Sequence, residues 1–235
     1  MDIEQSFDYS IPWTARDVWL GVVCLAVWWV IFLIGVIWVE INSLQLDLGL
    51  IMGLCELVLI IPAWWFSVRK YQVSWSKLGL RGFKGKMMVL GFGLMLSTFV
   101  FNFIYNGFLA LLNLRAQADL IPIFEQMSSP EWLLITGIVI APFVEELVFR
   151  GFIFEGLKQR YTWKKAALIS SGLFSIMHLQ PLAILPIFIL GYIFAYLYHK
   201  SKSIWPGIVL HVSSNALALG AAYLIANMGI EFGSF

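Results

Sequence analysis

Two adjacent acids, Glu145 and Glu146, and an arginine one helical turn on, Arg150, interrupt a run that otherwise reads as a membrane-spanning helix. A charge at bilayer depth costs roughly 2.5–3.5 kcal/mol on insertion scales, so three together point to function. Glu146 and Arg150 stand i,i+4 with the acid first, the favoured order for a helical ion pair, and that pair neutralises one acid. Glu145 is rotated about 100° from Glu146 and has no cation on its own face. A carboxyl so placed suits general acid–base work.

Further polar groups stud the apolar runs downstream. His178 follows Phe174 by one turn and is the natural second partner for a water held by Glu145. His211 and Asn215, again i,i+4, share one face of a later helix and can both donate to a developing oxyanion. At 1.5 Å per residue, Glu145 and His178 lie about 18 Å from one end of their helices, and Arg150 and His211 about 10 Å. These depths overlap. Glu56, in an earlier run, has no evident partner, and His199, beside Lys200, reads as an interfacial, solvated group.

Elimination narrows the chemistry. The aspartates are Asp2, Asp8, Asp17, Asp47 and Asp119, all outside the interiors of apolar runs, which argues against an intramembrane aspartyl dyad. No HExxH is present, which removes the zincin arrangement. No lysine lies within a run to activate a serine, and neither Cys24 nor Cys55 has a histidine nearby in sequence. What survives is Glu/His chemistry on water, with or without a metal.

The elements that must position these groups follow from composition. The chain has 235 residues, 60% hydrophobic and 12% charged, with a mean hydropathy of +0.85. Soluble domains are about 25% charged, so half that figure predicts an all-α, polytopic integral membrane bundle, read as a single domain over 1–235. Hydropathy predicts about seven spans, near 18–39, 48–68, 87–112, 131–157, 166–180, 183–199 and 204–226. The semi-polar stretch 113–130, with Pro122 and Pro130, is expected to lie in the interface. Met1 to Asp17 is polar and acidic, which predicts no cleavable signal. Cys24 and Cys55 fall in apolar spans and read as small apolar side chains.

All the lysines and arginines except Arg115 and Arg150 fall on alternate connections: Arg16 before the first span, Arg69 to Lys86 after the second, Lys158 to Lys165 after the fourth, and Lys200 with Lys202. The positive-inside rule then predicts a cytoplasmic N-terminus and an external C-terminus. A net charge of +1 and the lack of a basic cluster with interleaved aromatics give no footing for nucleic acid.

Three motifs in order, Glu145-Glu146-x-x-x-Arg150, Phe174-x-x-x-His178 and His211-x-x-x-Asn215, resemble those of the CPBP family. These are the CAAX-processing and bacteriocin-processing intramembrane proteases, formerly called Abi proteins, which include the type II CAAX prenyl endopeptidases. The strong resemblance covers about 130–220, with Lys77-Leu78-Gly79-Leu80 a fainter echo upstream. It implies a helical membrane core around a cavity, with Glu145 activating water, His178 helping to hold it, and His211 and Asn215 binding the oxyanion. Glu146, Arg150 and Phe174 would brace the site. Family descriptions divide between metallo- and glutamate-dependent enzymes. Glu145, His178 and His211 could supply three ligands of an open zinc site, while metal-free water activation is the preferred reading. The expected partners are the lipid bilayer and a membrane-associated peptide or protein substrate. The resemblance points to a multi-pass protein of a prokaryotic cell membrane, in peptide maturation or bacteriocin self-immunity. A non-proteolytic scaffold or immunity protein, or a proton-coupled transporter using Glu56, Glu145 and the histidines, are the competing expectations.

Overall fold

The structure is a computed structural model that describes residues 10–44, 46–116, 120–127 and 129–228; Asp2, Asp8 and Asp119 lie outside them. Among these residues every regular element is helical. Six helices are long and apolar enough to cross a membrane: α1 (Ala15–Ile41), α2 (Gly49–Arg69), α3 (Lys86–Leu111), α5 (Pro130–Leu157), α7 (Pro181–Ser201) and α8 (Trp205–Met228). A short α4 (Ile121–Gln126) packs on α8, its Phe124 ring set edge-on to Tyr223 with centroids 5.6 Å apart. Each predicted span has its helix, within a few residues.

The expected fifth span is the exception. The helix there, α6 (Trp163–Ile176), has 14 residues, about 21 Å of rise against a hydrocarbon core of about 30 Å. It ends because Leu179 takes a positive φ of 53° and Pro181 opens the next turn. Its buried positions, Ala166, Ala167, Ser170, Ser171, Phe174 and Ser175, form one face of small residues and a phenylalanine pressed against α5 and α7. Short as it is, α6 is wedged between longer helices.

At the centre stands α5. Every residue from Glu146 to Phe154 is buried, so the helix has no lipid-facing stripe there. Around it the loops gather at one end of the bundle. Trp13, fully buried, donates its indole N–H to the Phe152 carbonyl (3.1 Å). Lys77 reaches the Ser10 carbonyl (2.9 Å) and Gln159 the Ile11 carbonyl (3.2 Å). Ile204 N–H donates to Gly79 O (3.0 Å), and Ser203 Oγ–H to Arg81 O (2.6 Å). The basic connections predicted to share a side therefore share an end. Gly79 in Lys77-Leu78-Gly79-Leu80 closes a 3-10 turn at φ +89°, a conformation that a side chain resists.

The first helix is fastened chiefly near that end. Thr14 and Asp17 form a reciprocal capping box, and Asp17 also takes bonds from Tyr71 (2.7 Å) and Lys70. The lysine ammonium is held above its ordinary pKa, chiefly by that hydrogen bond to the carboxylate. The buried residues of α1 are Ala15, Asp17, Val18, Gly21 and Leu25; beyond them it presents large exposed side chains such as Ile34, Ile37 and Trp38.

Candidate active site

The motif helix is not a plain α-helix. Thr136–Ile140 and Glu146–Phe154 are π-helical, on either side of an α-helical Ala141–Glu145. A π-helix leaves wider turns and redirected carbonyls, which neighbours can use. Ser170 donates to Phe149 O (2.8 Å) and Trp13 to Phe152 O (3.1 Å), so α6 and the N-terminal segment lock the second π stretch. In the first stretch Ala141 N–H donates to Thr136 O, five residues back. The next donor in that register is Pro142, which has none. Asn215 of α8 supplies it: its Nδ2–H meets Gly137 O at 2.7 Å.

On this helix Glu146 and Arg150 sit 2.9 Å apart between Oε1 and Nη1, both side chains at most 1% exposed. Arg150 is boxed in. Its Nη2–H donates to Gly191 O of α7 (3.1 Å), and its guanidinium lies 4.4 Å from the Phe174 ring centroid and 5.3 Å from that of Phe194. Cation–π contacts in a desolvated pocket are worth about 2 kcal/mol, which offsets part of the cost of burying the ion.

His211 stands between the two acids. Its Nε2 is 3.5 Å from Glu145 Oε2 and its Nδ1 is 3.6 Å from Glu146 Oε1. The Phe174 and Phe194 rings pack on it with centroids at 5.9 and 5.1 Å. Glu145 is 16% exposed while Glu146 is 1% exposed, so Glu145 is the acid with access to an incoming molecule. The close approach of α8 depends on Gly207, where a Cβ would fall 2.6 Å from Glu146 Oε2.

Thus the imidazole beside Glu145 is His211. His178, half-buried just past the end of α6, joins the site through Phe174: its Nδ1 lies 2.8 Å from Phe174 O, and the two rings meet edge-on at 4.8 Å. A carbonyl can only accept, so Nδ1 carries the hydrogen, which leaves Nε2 as the ring nitrogen free to face a reactant. No hydrogen bond or ion pair among the described residues links His178 to Glu145. Asn215 lies one turn from His211, with one amide hydrogen committed to Gly137. Among the described residues no three His, Cys, Asp or Glu side chains form a group that could hold a metal ion. Glu145, His178 and His211 therefore do not make a three-ligand zinc centre in this geometry.

Residues 127–217 match the family described as type II CAAX prenyl endopeptidase Rce1-like. The motif-bearing stretch is similar to that family. That span contains Glu145, Glu146, Arg150, Phe174, His178, His211 and Asn215, and so every residue of the three motifs. A Bacillus subtilis (strain 168) protein named "Putative membrane peptidase YdiL" is 33% identical over 87 residues, 37% of this chain and 36% of that protein. The "UPF0177 protein YxdF" of Lactococcus lactis subsp. lactis (strain IL1403) is 34% identical over 88 residues, 37% of this chain and 48% of that one. The matched stretch spans less than half the length of either relative. No solved structure matches the chain.

Two features of the site leave little trace in the sequence. The π-helical register has no signature except Pro142, whose missing N–H signals a disturbed ladder. The adjacency of Glu56 to the site was equally hidden, because it arises from α2 packing on the Ala141–Glu145 turn. Glu56 lies within electrostatic reach of Glu145.

Proposed function

We propose that the chain is a membrane-embedded endopeptidase that hydrolyses a peptide bond of a membrane-associated peptide or protein. The observation that carries this reading is the contact of Glu145 with His211, at 3.5 Å, backed by the buried Glu146–Arg150 pair. Glu145 takes a proton from water as the water oxygen attacks the scissile carbonyl carbon. The proton then passes to the departing amine, with His211 beside the carboxyl to relay it. The Nε2 lone pair of His178 accepts the water's other hydrogen and so aims the oxygen. The second amide hydrogen of Asn215 and the His211 ring are the candidate donors to the oxyanion. Glu146 and Arg150 do no chemistry: they fix the face of α5 that presents Glu145.

The basic end of the bundle is assigned to the cytoplasm by its lysines and arginines, in a multi-pass protein of a prokaryotic cell membrane. The bacterial relatives support that placement. The test compares membrane peptides in cells carrying the wild-type protein with those carrying Glu145→Ala, followed by cleavage of the peptides found, using purified protein. Products that vanish in Glu145→Ala, with the variant still folded, are expected. Equal turnover by both proteins would reject the proposal.

A further inference from the structure

Between α1 and α2 lies a cleft lined by Trp28, Trp29, Phe32, Met52, Glu56 and Leu59. It begins where α1 leaves the bundle, past Leu25, the last buried residue of that helix. Trp29 lies about 21 Å along α1 from the basic end, Glu56 about 20 Å along α2, and Glu145 about 18 Å along α5. The cleft is thus level with the candidate active site and open sideways, towards lipid. Its lining residues fall outside the stretch that matches the Rce1-like family.

Two polar atoms in this apolar cleft are buried without a hydrogen-bond partner among the described residues: the donor Trp29 Nε1 and the acceptor Glu56 Oε1. Leaving either unmatched in hydrocarbon is costly, and a lipid tail could satisfy neither. A group that satisfies both must offer an acceptor and a donor and be apolar around them. A peptide amide does this, its C=O accepting from the indole and an N–H donating to the carboxyl. An extended apolar peptide offers such pairs repeatedly. The helix that carries Glu56 packs on the Ala141–Glu145 turn, so a strand held in the cleft lies beside the site.

We propose that the α1–α2 cleft is a peptide-binding subsite: it takes an extended apolar segment from the bilayer side and pairs one of its amides with Trp29 and Glu56. This rests on the endopeptidase reading only for what happens to the segment afterwards.

The test uses the full chain carrying Glu145→Ala, reconstituted in phosphatidylethanolamine/phosphatidylglycerol nanodiscs, with a photo-reactive benzoylphenylalanine at Phe32 or Met52. The probe is an N-acetylated apolar octapeptide amide with a fluorescent lysine. Capture from either position is expected, and little from a control at Ile34. The backbone N-methylated peptide should compete about tenfold less well, as should the parent peptide when Trp29→Phe is added. Tenfold is what one lost hydrogen bond of about 1.4 kcal/mol gives. Trp29→Phe keeps the ring, and its folding is checked by size-exclusion elution and thermal unfolding. Labelling of lipid alone overturns the subsite, and so does equal competition by the N-methylated peptide. Cleavage of the octapeptide by the Glu145-containing protein with no capture at 32 or 52 sinks the subsite and leaves the endopeptidase standing. Capture without cleavage does the reverse.

Discussion

Asn215 on the last helix donates to the Gly137 carbonyl on the motif helix, 2.7 Å away, and so makes the bond that Pro142 cannot. Two helices far apart in sequence are joined by an amide that replaces a missing backbone donor. Asn215 thereby sets the turn from which Glu145 projects, whatever it also contributes to an oxyanion.

That substitution of a side chain for a backbone group can be tested by reversal. Asn215→Ala is expected to lower stability by about 1–3 kcal/mol, the cost of one buried unsatisfied carbonyl. Adding Pro142→Ala restores an N–H in register, and thermal unfolding in detergent should recover most of the loss. If activity recovers too, Asn215 works by position; a stable but inactive double variant assigns it direct contact with the reacting carbonyl oxygen.

The two acids should separate cleanly. Glu145→Gln keeps its shape and should leave unfolding unchanged while turnover falls by at least about 10²-fold, the lower range of general-base effects. Glu146→Gln strands a buried guanidinium and should cost about 3–5 kcal/mol. Adding Arg150→Met to Glu146→Gln should return much of that stability, since an apolar replacement of a buried pair is often neutral. Unfolding temperature and kcat measured on all four proteins decide the matter.

Gly207 is the space that Glu146 occupies. In Gly207→Ala the new methyl, 2.6 Å from Oε2, must push the carboxylate or the helix. Overpacking of this kind costs about 1–3 kcal/mol, and activity should fall because His211 rides on the same helix. Gly220→Ala, where nothing lies within 4 Å of the new carbon, is the matched control and should be silent.

At the basic end Lys202 gives a pH signature. Burial and then the neighbouring Lys158 push its ammonium down to about 8 from 10.5. Folded protein releases this proton near pH 8 and unfolded chain near 10.5, so the unfolded state binds more protons between them. Stability is expected to rise with pH across that window. Lys202 also caps α7 with a φ of 58°. Lys202→Gly should remove the pH dependence and, by relieving a left-handed conformation, add about 1 kcal/mol. Unfolding followed from pH 7 to 10 in both proteins is the check.

Much of this architecture could be read from the residues alone. Long apolar runs must become spanning helices because lipid satisfies no backbone group, and the basic connections do meet at one end, as Lys77 on Ser10 and Ser203 on Arg81 show. The ion pair of Glu146 with Arg150 was legible from spacing, since four residues bring side chains together on α- and π-helical turns alike. The partner of Glu145 was not. Which imidazole meets it depends on the angle at which α8 crosses α5, set by Gly207, and spacing within a helix carries no information on that angle. Depth along the helices favoured His178, about 18 Å in like Glu145, over His211 at about 10 Å. The shortness of the fifth helix was hidden for a related reason: apolar character measures burial, and α6 is buried by helices as much as by lipid.

The bond from Trp13 to Phe152 spans 139 positions. It cannot close until α5 has left the ribosome, so a residue made early is among the last to settle. Until then the wide turns of the motif helix lack a strut. Biogenesis would thus keep the acids unaligned while the chain is still being threaded, and a tag or deletion that displaces Trp13 should prolong that immature phase.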